Sequence, residues 1–234
     1  MAVMVNDFRT QLEQAVAGRH SQQHPFSKLW MEGKLTKEQF REWVRQHYHY
    51  VGHFSEWLGT MFGDCTDQEV RDFLLQNMWE EELAATRHTE LLLRFGEACG
   101  IDPDDVVNAE DKGTILPSTE AFGSWCRLVA NKYPTWEAAA ALIVGLESQT
   151  PAIYQNQVPV MEEKYGFDED ALEFFYIHIA ADVVHGERGY QIVERYADTP
   201  QRQARAIQLV ERAAQHRWLY MDGIYRKAVL NQPF

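Results

Sequence analysis

HIAADVVHGERGY, residues 178–190, sets three metal-binding side chain types among small apolar residues. His178, Asp182 and His185 follow one another at steps of four and three residues. An α-helix turns about 100° per residue, so these side chains project from one stripe that spans about two turns. The apolar residues between them predict a helix that is buried nearly all round. A buried aspartate needs a partner, so the stripe indicates either an Asp–His hydrogen-bonded pair or a metal site.

Two further segments carry side chains of the same kinds. Glu81 and His88 are seven residues apart, which places both on one face of a helix. The flanking Glu80 and Glu82 point elsewhere and are interpreted as surface charges. Glu147 is the first charged residue after nine uncharged ones, a position typical of either a solvated helix end or an inward-pointing ligand. Each of these patterns alone is common in helical proteins.

The three segments together offer three imidazoles and three carboxylates, and no cysteine. Six mixed nitrogen and oxygen ligands suit two adjacent first-row metal ions, iron or manganese before zinc. The Glu-x-x-His pairs that are usual in ferritin-like bundles do not occur in the chain. The residues therefore predict a dimetal site on another helical scaffold.

The composition argues against several other classes of protein. The 234 residues include 35 acidic and 22 basic side chains, and a net charge of −13 disfavours nucleic-acid binding. No stretch of about 18 apolar residues and no secretory leader is recognisable, so we expect no membrane insertion and a cytoplasmic protein. The three cysteines lack a CxxC spacing, which argues against a disulfide framework or a zinc knuckle.

The hydrophobic periodicity is helical nearly throughout and predicts an all-α fold of seven or eight helices, a single domain over residues 1–234. Residues 24–36 are expected to be a connection, and residues 101–120 a loop with one turn after Pro103. Pro151 is expected to kink or interrupt the helix in which it lies.

Two cap spacings predict where long helices begin. Thr36 with Gln39 starts a helical pattern that runs to Asp64. Thr66 with Glu69 starts another that stops at Gly100.

The pattern Glu81-x6-His88, Glu147 and His178-x3-Asp182-x2-His185 resembles the ligand set of the heme-oxygenase-like di-iron oxidases and oxygenases. The wider superfamily includes TenA thiaminases and pyrroloquinoline-quinone synthases. The stretches GKLTKEQF, YVGHFSEWL, LESQTPAI and HIAADVVHGER look closest to the group of the chlamydial death-domain-associated protein and the para-aminobenzoate synthases. The resemblance spans about residues 20 to 225.

The resemblance implies a heme-oxygenase-like bundle that holds two iron(II) ions, with manganese as an alternative metal and O2 as co-substrate. It implies that the same six residues are both the metal ligands and the catalytic residues. It further implies an oxidase or oxygenase that acts on an amino acid or an amino-acid-derived metabolite in a biosynthetic pathway. The outcome would be oxidative C–C or C–N cleavage, desaturation or nitrile formation.

Two alternatives remain open at this stage. One is a self-sacrificing para-aminobenzoate synthase, which consumes its own tyrosine in the segment that matches HPFSKLW and uses a lysine after the third carboxylate. This chain has Ser27 and Gln157 at those places, which disfavours that reaction. The other is a non-catalytic interaction protein of the same fold.

Aromatic side chains supply the candidates for substrate binding, although such faces are more often core. The segment RQHYHYVGHFSEW predicts a helix that borders the pocket. The candidates are Tyr48, His49, Trp57, Tyr154 and Tyr176, with His47, Tyr50, His53 and Trp125 of the same kind. For a substrate carboxylate, Lys28, Arg45 and Arg188 are the candidate partners, with solvated positions as the alternative. We expect an amino-acid-like small molecule as partner, and a homodimer is left open.

Overall fold

The computed structural model describes residues 2–83 and 85–232, with side chains from Phe8 onwards. The described residues form α-helices joined by short turns and include no β-strand, so the predicted all-α fold is confirmed. The helices are α1 (Ala2–Ala17), α2 (Pro25–Met31), α3 (Lys37–Val51), α4 (Phe54–Asp64), α5 (Gln68–Leu83), α6 (His88–Cys99), α7 (Pro103–Val107), α8 (Pro117–Lys132), α9 (Thr135–Ala138), α10 (Thr150–Val160), α11 (Glu169–Tyr196) and α12 (Pro200–Ala228).

Two of the predicted helices are each divided in the structure. The stretch from Thr36 to Asp64 is split into α3 and α4, where the Gly52 N–H bonds back to Tyr48 O at 2.9 Å and closes α3. The stretch from Thr66 to Gly100 is split into α5 and α6. Both breaks lie inside continuous helical periodicity, so the pattern of apolar residues did not reveal them.

The expectation that residues 24–36 form only a connection is wrong, because α2 lies within them. His24 caps this helix, since its Nδ1 accepts a hydrogen bond from the Phe26 N–H at 3.1 Å. Pro25 occupies the first turn, where a missing N–H costs nothing. The helix is held in place by Phe26 and Trp30, which are fully buried.

Of the two predicted caps, one is confirmed and one is wrong. Thr36 and Gln39 form a reciprocal capping box at the start of α3. At α5 the cap is Asp67 rather than Thr66, because Asp67 Oδ1 accepts hydrogen bonds from the N–H groups of Glu69 at 3.0 Å and Val70 at 3.3 Å.

The centre of the bundle is a segment that links α9 to α10 and is buried at every position except the partly buried Ser148. Residues Ala139–Val144 form a π-helix, and Glu147–Gln149 form a 3-10 turn before α10. The interruption therefore precedes Pro151, which occupies the first turn of α10. Gly145 and Gly189 allow the long helices α12 and α11 to pack closely on this segment, since an added Cβ at either would lie 2.5 Å from a neighbouring side chain.

Helix α11 is not buried all round, contrary to the sequence-based expectation. Val183 and Val184 are each 56% exposed, whereas His178, Asp182 and His185 face the interior. The helix thus has one apolar side open to solvent. None of the helices in the described part of the chain combines the length and the apolar character that crossing a bilayer requires.

Candidate metal centre

Six buried side chains form two neighbouring groups of three between α5, α6, α11 and the segment before α10. Within each group, one potential ligand atom per residue lies within 4.8 Å of the other two. None of the six is more than 8% exposed. The groups are Glu81, His88 and His178, and Glu147, Asp182 and His185.

Helix α11 contributes to both groups. His178 belongs to the first group, and Asp182 and His185 belong to the second, one and two turns further along. All three lie on the buried stripe of the helix, as the spacing predicted. One rigid helix therefore sets the separation between the two groups.

Glu81 and His88 meet across the break between α5 and α6 rather than along one helix. Glu81 lies near the end of α5, and His88 is the first residue of α6. His88 Nδ1 lies 2.9 Å from Glu81 Oε2, yet it makes no well-aligned hydrogen bond. Two ligands at right angles on one metal ion, each at about 2.1 Å, would be about 3 Å apart. The two side chains are thus arranged as ligands of a common ion would be.

His178 is oriented by its own helix. Its Nδ1 lies 2.6 Å from the Phe174 carbonyl oxygen, one turn earlier, so Nδ1–H donates to that oxygen. This hydrogen bond fixes the tautomer and leaves Nε2 free to bind a metal. The ring packs edge-on against His88, with ring centroids 4.6 Å apart.

In the second group, His185 lies among carboxylates. Its Nδ1 is 2.8 Å from Glu147 Oε1 and 3.5 Å from Asp182 Oδ1. Asn77 supports Glu147 by donating its amide N–H to Oε1 at 3.3 Å. The second oxygen of Glu147, Oε2, is buried and has no partner within the described residues.

Glu80 also reaches this group, which differs from its interpretation as a surface charge. Its Oε2 lies 2.8 Å from His185 Nε2, on the side of the ring opposite Glu147. A carboxylate on the outer nitrogen of a metal-binding histidine is a common supporting arrangement, because it fixes the tautomer. Glu82, by contrast, is half-buried and accepts a hydrogen bond from Ser55.

Burial and mutual contacts shift the pKa values of the ionisable side chains in the centre. Burial raises the pKa of Asp182 to about 6, although His185 and His178 oppose the shift. Burial would lower the pKa of His185, but Asp182 and Glu147 outweigh it and raise that pKa to about 11. Burial would raise the pKa of Glu81, but His88, then His178 and His185, lower it. Each of these shifts is therefore caused or opposed by another member of the centre.

The donor set fits iron. The two groups offer imidazole nitrogen and carboxylate oxygen atoms and no sulfur, which suits iron or manganese. The unpartnered Glu147 Oε2 and the poorly aligned His88 Nδ1 are the buried polar atoms that a metal ion would satisfy.

A narrow cavity of about 30 Å³ opens onto both groups. Glu81 and His178 border it from the first group, and Glu147 and Asp182 from the second. Its other walls are mostly aromatic, with one cation, and include His47, Tyr50, Phe54, Tyr154 and Arg217.

The predicted substrate-binding residues do not all lie at this cavity. Tyr154 borders the cavity. His49 and Trp57 instead line a surface cleft between α3 and α8, and His49 Nε2 lies 2.9 Å from Val106 O. Tyr48 is half-buried outside the cavity wall, and Tyr176 donates its hydroxyl to Glu162 near the surface.

The candidate cations for a substrate carboxylate are also distant from the cavity. Arg45 pairs with Glu42, while Lys28 and Arg188 are exposed. The cation that does line the cavity, Arg217, was not anticipated. A signal existed, because Arg217 lies seven residues from both Val210 and Ile224 on the buried stripe of α12.

Comparison with known proteins agrees with this centre. The sequence profile of a family described as iron-containing redox enzymes matches residues 41–218. The chain belongs to that family.

Relatives of this iron-containing redox enzyme include a 4-aminobenzoate synthase from Nitrosomonas europaea. It is 32% identical, with the alignment covering 97% of this chain and 94% of the relative. A pyrroloquinoline-quinone synthase from Pseudomonas syringae pv. tomato is 25% identical over 90% of this chain and 83% of its own length.

Solved structures show the fold. A TenA homologue from Pseudomonas syringae pv. tomato matches with a TM-score of 0.80 at 16% identity, covering 94% of this chain and 92% of that one. A domain with a heme-oxygenase-like fold from Shewanella denitrificans matches with a TM-score of 0.79 at 18% identity, covering 95% and 94%. The predicted heme-oxygenase-like fold is confirmed.

Proposed function

We propose that this family member is an O2-dependent, non-heme di-iron oxidase or oxygenase. Its substrate would be an amino acid or an amino-acid-derived metabolite in a biosynthetic pathway. The observation that carries the proposal is the pair of three-residue ligand groups, which lie side by side and share α11. One such group would serve a single ion, whereas two neighbouring groups serve a pair.

In this proposal, Glu81, His88 and His178 hold one ion, and Glu147, Asp182 and His185 hold the other. Iron supplies the binding and reductive activation of O2, which protein side chains cannot perform alone. The chain positions the ligands through the Phe174 carbonyl, Asn77 and Glu80. The aromatic walls of the cavity limit access of water to the centre.

The cavity is small, with a free space of about 30 Å³ that holds roughly one or two water molecules. A compact substrate therefore requires the least rearrangement of its walls. The names of the relatives denote syntheses of small polar molecules, which agrees with a small polar substrate here.

Metal content and O2 consumption test this function. Protein reconstituted anaerobically with Fe2+ should retain about two ions per chain. Candidate amino acids should then be compared for their ability to accelerate O2 consumption. A protein that retains no iron after reconstitution would contradict the proposal.

A single ligand variant tests the assignment of positions. His185→Ala should abolish substrate-dependent O2 consumption and weaken retention of at least one iron, because it removes the imidazole of the second group. Helix content measured by circular dichroism should remain near that of the parent protein. Full activity in this variant would mean that His185 is not a ligand.

A second candidate function is 4-aminobenzoate formation, favoured by the 32% identity to a synthase of that name. Ser27 and Gln157 border one cavity together with Tyr154 and Tyr220, so a different tyrosine is available there. Mass spectrometry of the whole protein after turnover distinguishes the two functions. A mass loss localised to Tyr154 or Tyr220 would favour a self-sacrificing reaction, and an unchanged mass would favour a free substrate.

A further inference from the structure

A second cavity lies directly behind the metal-centre cavity. It has a free volume of about 20 Å³ and shares three wall residues with the first, namely His47, Tyr154 and Arg217. Arg217 therefore borders both spaces, and it is the cation among the three shared wall residues.

Arg217 is buried without an acidic partner. It is 6% exposed, and its Nη1 donates a hydrogen bond to the Leu146 carbonyl oxygen at 2.6 Å. Among the described residues, no carboxylate lies within ion-pair distance of its guanidinium. A buried charge is costly unless it is paired, and five N–H donors suit a carboxylate in a bidentate arrangement.

The histidines near Arg217 add no second positive charge. Burial, and then Arg217 itself, hold the pKa of His47 well below its usual range. The same two causes lower the pKa of His20 to about 4. Both imidazoles are thus neutral at physiological pH, and the positive charge at this place is that of the guanidinium.

The walls of the second cavity hold further unpaired polar atoms. Ser21 Oγ, Trp30 Nε1 and Gln157 Oε1 are buried, line this cavity and have no hydrogen-bond partner within the described residues. Two of them are donors and one is an acceptor. Buried polar groups are almost always paired, so these atoms are available to bind water or a polar group of a ligand in this cavity.

The metal centre does not account for Arg217. Two divalent ions carry four positive charges, and the three ligand carboxylates together with Glu80 carry four negative ones. A loaded centre therefore needs no additional cation. An arginine beside it makes the surroundings more positive and so favours an anion.

We propose that Arg217 binds the carboxylate of a compact substrate whose reacting end faces the metal centre. This inference rests on the proposed function for the identity of the reacting end. The aromatic side chains Trp30, Trp43 and Tyr220 complete the wall of the second cavity, and they must move apart for a flat ring to stack on them, because its free volume holds only about one or two water molecules. A polar group on the far side of that ring would meet Ser21, Trp30 and Gln157.

Equilibrium binding of benzoate and of its neutral analogue benzamide tests this site. The metal-loaded full chain is titrated without O2, and the fluorescence of the tryptophans in the cavity wall reports binding. Benzoate should bind at least about tenfold more tightly than benzamide. Equal affinities would overturn the proposal.

Variants separate Arg217 from direct binding of benzoate to a metal. Arg217→Gln should lose the preference for benzoate, whereas Arg212→Gln, an exposed control on the same helix, should keep it. If Arg217→Gln does not fold, Arg217→Lys keeps the charge but loses the bidentate geometry, and its preference should fall at least about threefold. An undiminished preference in the folded Arg217 variant would overturn the proposal, because metal ligation alone would then explain it.

The benzoate test of the anion site can fail or succeed separately from the test of the proposed function. Absence of iron or of O2 consumption would contradict the oxidase, while a benzoate preference that requires Arg217 would still establish the anion site. Conversely, an active di-iron enzyme without that preference would support the oxidase proposal and contradict the proposed anion site.

Discussion

At the scale of single residues, the centre depends on neighbouring groups that orient its ligand side chains. Phe174 O orients His178, Asn77 supports Glu147, and Glu80 faces the outer nitrogen of His185. Mutation of such supporting partners typically lowers metal affinity or activity by 10- to 100-fold.

Glu80→Gln should weaken metal binding about tenfold or more, because the amide no longer carries the charge that favours the Nε2–H tautomer of His185. Calorimetric titration of the metal-free protein with Co2+ measures this directly. Glu82→Gln is the matched control, since Glu82 is a neighbouring carboxylate that bonds Ser55 instead. Equal Co2+ affinities in both variants would show that Glu80 does not support the centre.

The three cysteines should be unreactive in the native protein. Cys65, Cys99 and Cys126 are buried, and burial raises the pKa of Cys99 to about 12 and that of Cys126 well above its usual range. Thiolate is the reactive form, so labelling with a disulfide reagent at about pH 8 should be slow until the protein is unfolded. Rapid labelling of one native thiol would instead reveal an accessible nucleophile.

At the scale of secondary-structure elements, the ligands lie on helical segments that are buried to different extents. The central π-helical segment is wholly buried, whereas α5 exposes Trp79 and Leu83 and α11 exposes Val183 and Val184. The π-helix and the following 3-10 turn bring Glu147 inward, beside α11.

Metal binding should protect the parts of α5 and α11 that carry ligands, namely the end of α5 and the middle of α11. Asp182 is buried at a cost that raises its pKa to about 6, so the metal-free α11 contains an element of strain that an ion removes. Hydrogen exchange of residues 78–83 and 178–186 should slow when Fe2+ is added anaerobically. Hydrogen exchange within α8, which carries no ligand, should not change when Fe2+ is added. An equal slowing of exchange in all three regions would contradict the prediction.

Gly145→Ala should destabilise the protein by about 1–3 kcal/mol, since the new Cβ would lie 2.5 Å from Ala213 Cβ and 2.6 Å from the Ala141 carbonyl oxygen. Gly123→Ala is the control, because a Cβ there meets nothing within 4 Å and should stabilise α8 by up to about 1 kcal/mol. Urea denaturation measures both effects. Similar midpoints for the two variants would show that close packing at Gly145 is not required.

At the scale of the whole molecule, metal binding and folding are linked, because the two ligand groups exist only when four separate chain segments meet. An ion at about 100 times its Kd stabilises the native state by about 2.7 kcal/mol. For a chain of this size, that corresponds to a rise of about 5–10 °C in Tm.

Differential scanning calorimetry under anaerobic conditions should show this rise with Fe2+ and its loss after chelation. Mg2+ is the control ion, because it prefers oxygen ligands and should bind a histidine-rich centre poorly. An equal rise with Mg2+ would indicate nonspecific binding to the acidic chain rather than to the centre.

The sequence by itself determined the helical class and the positions of the six candidate ligands. Periodicity of 3.6 residues predicts helices wherever one face is apolar, and residues at steps of three, four and seven share a face of an unbroken helix such as α11. That argument did not hold for Glu81 and His88, because the chain breaks between α5 and α6. The capping box at Thr36 is equally local, since its donor and acceptor are three residues apart.

The tertiary structure alone decided where helices break and which charges are buried. The break between Leu83 and His88 and the π-helix before Glu147 lie inside regular sequence patterns, so packing against α11 and α12 selects them. The roles of Glu80 and Arg217 depend on atoms 105 and 71 residues away, at His185 and Leu146. Spacing along one helix cannot report such contacts, because they exist only after distant segments have packed together.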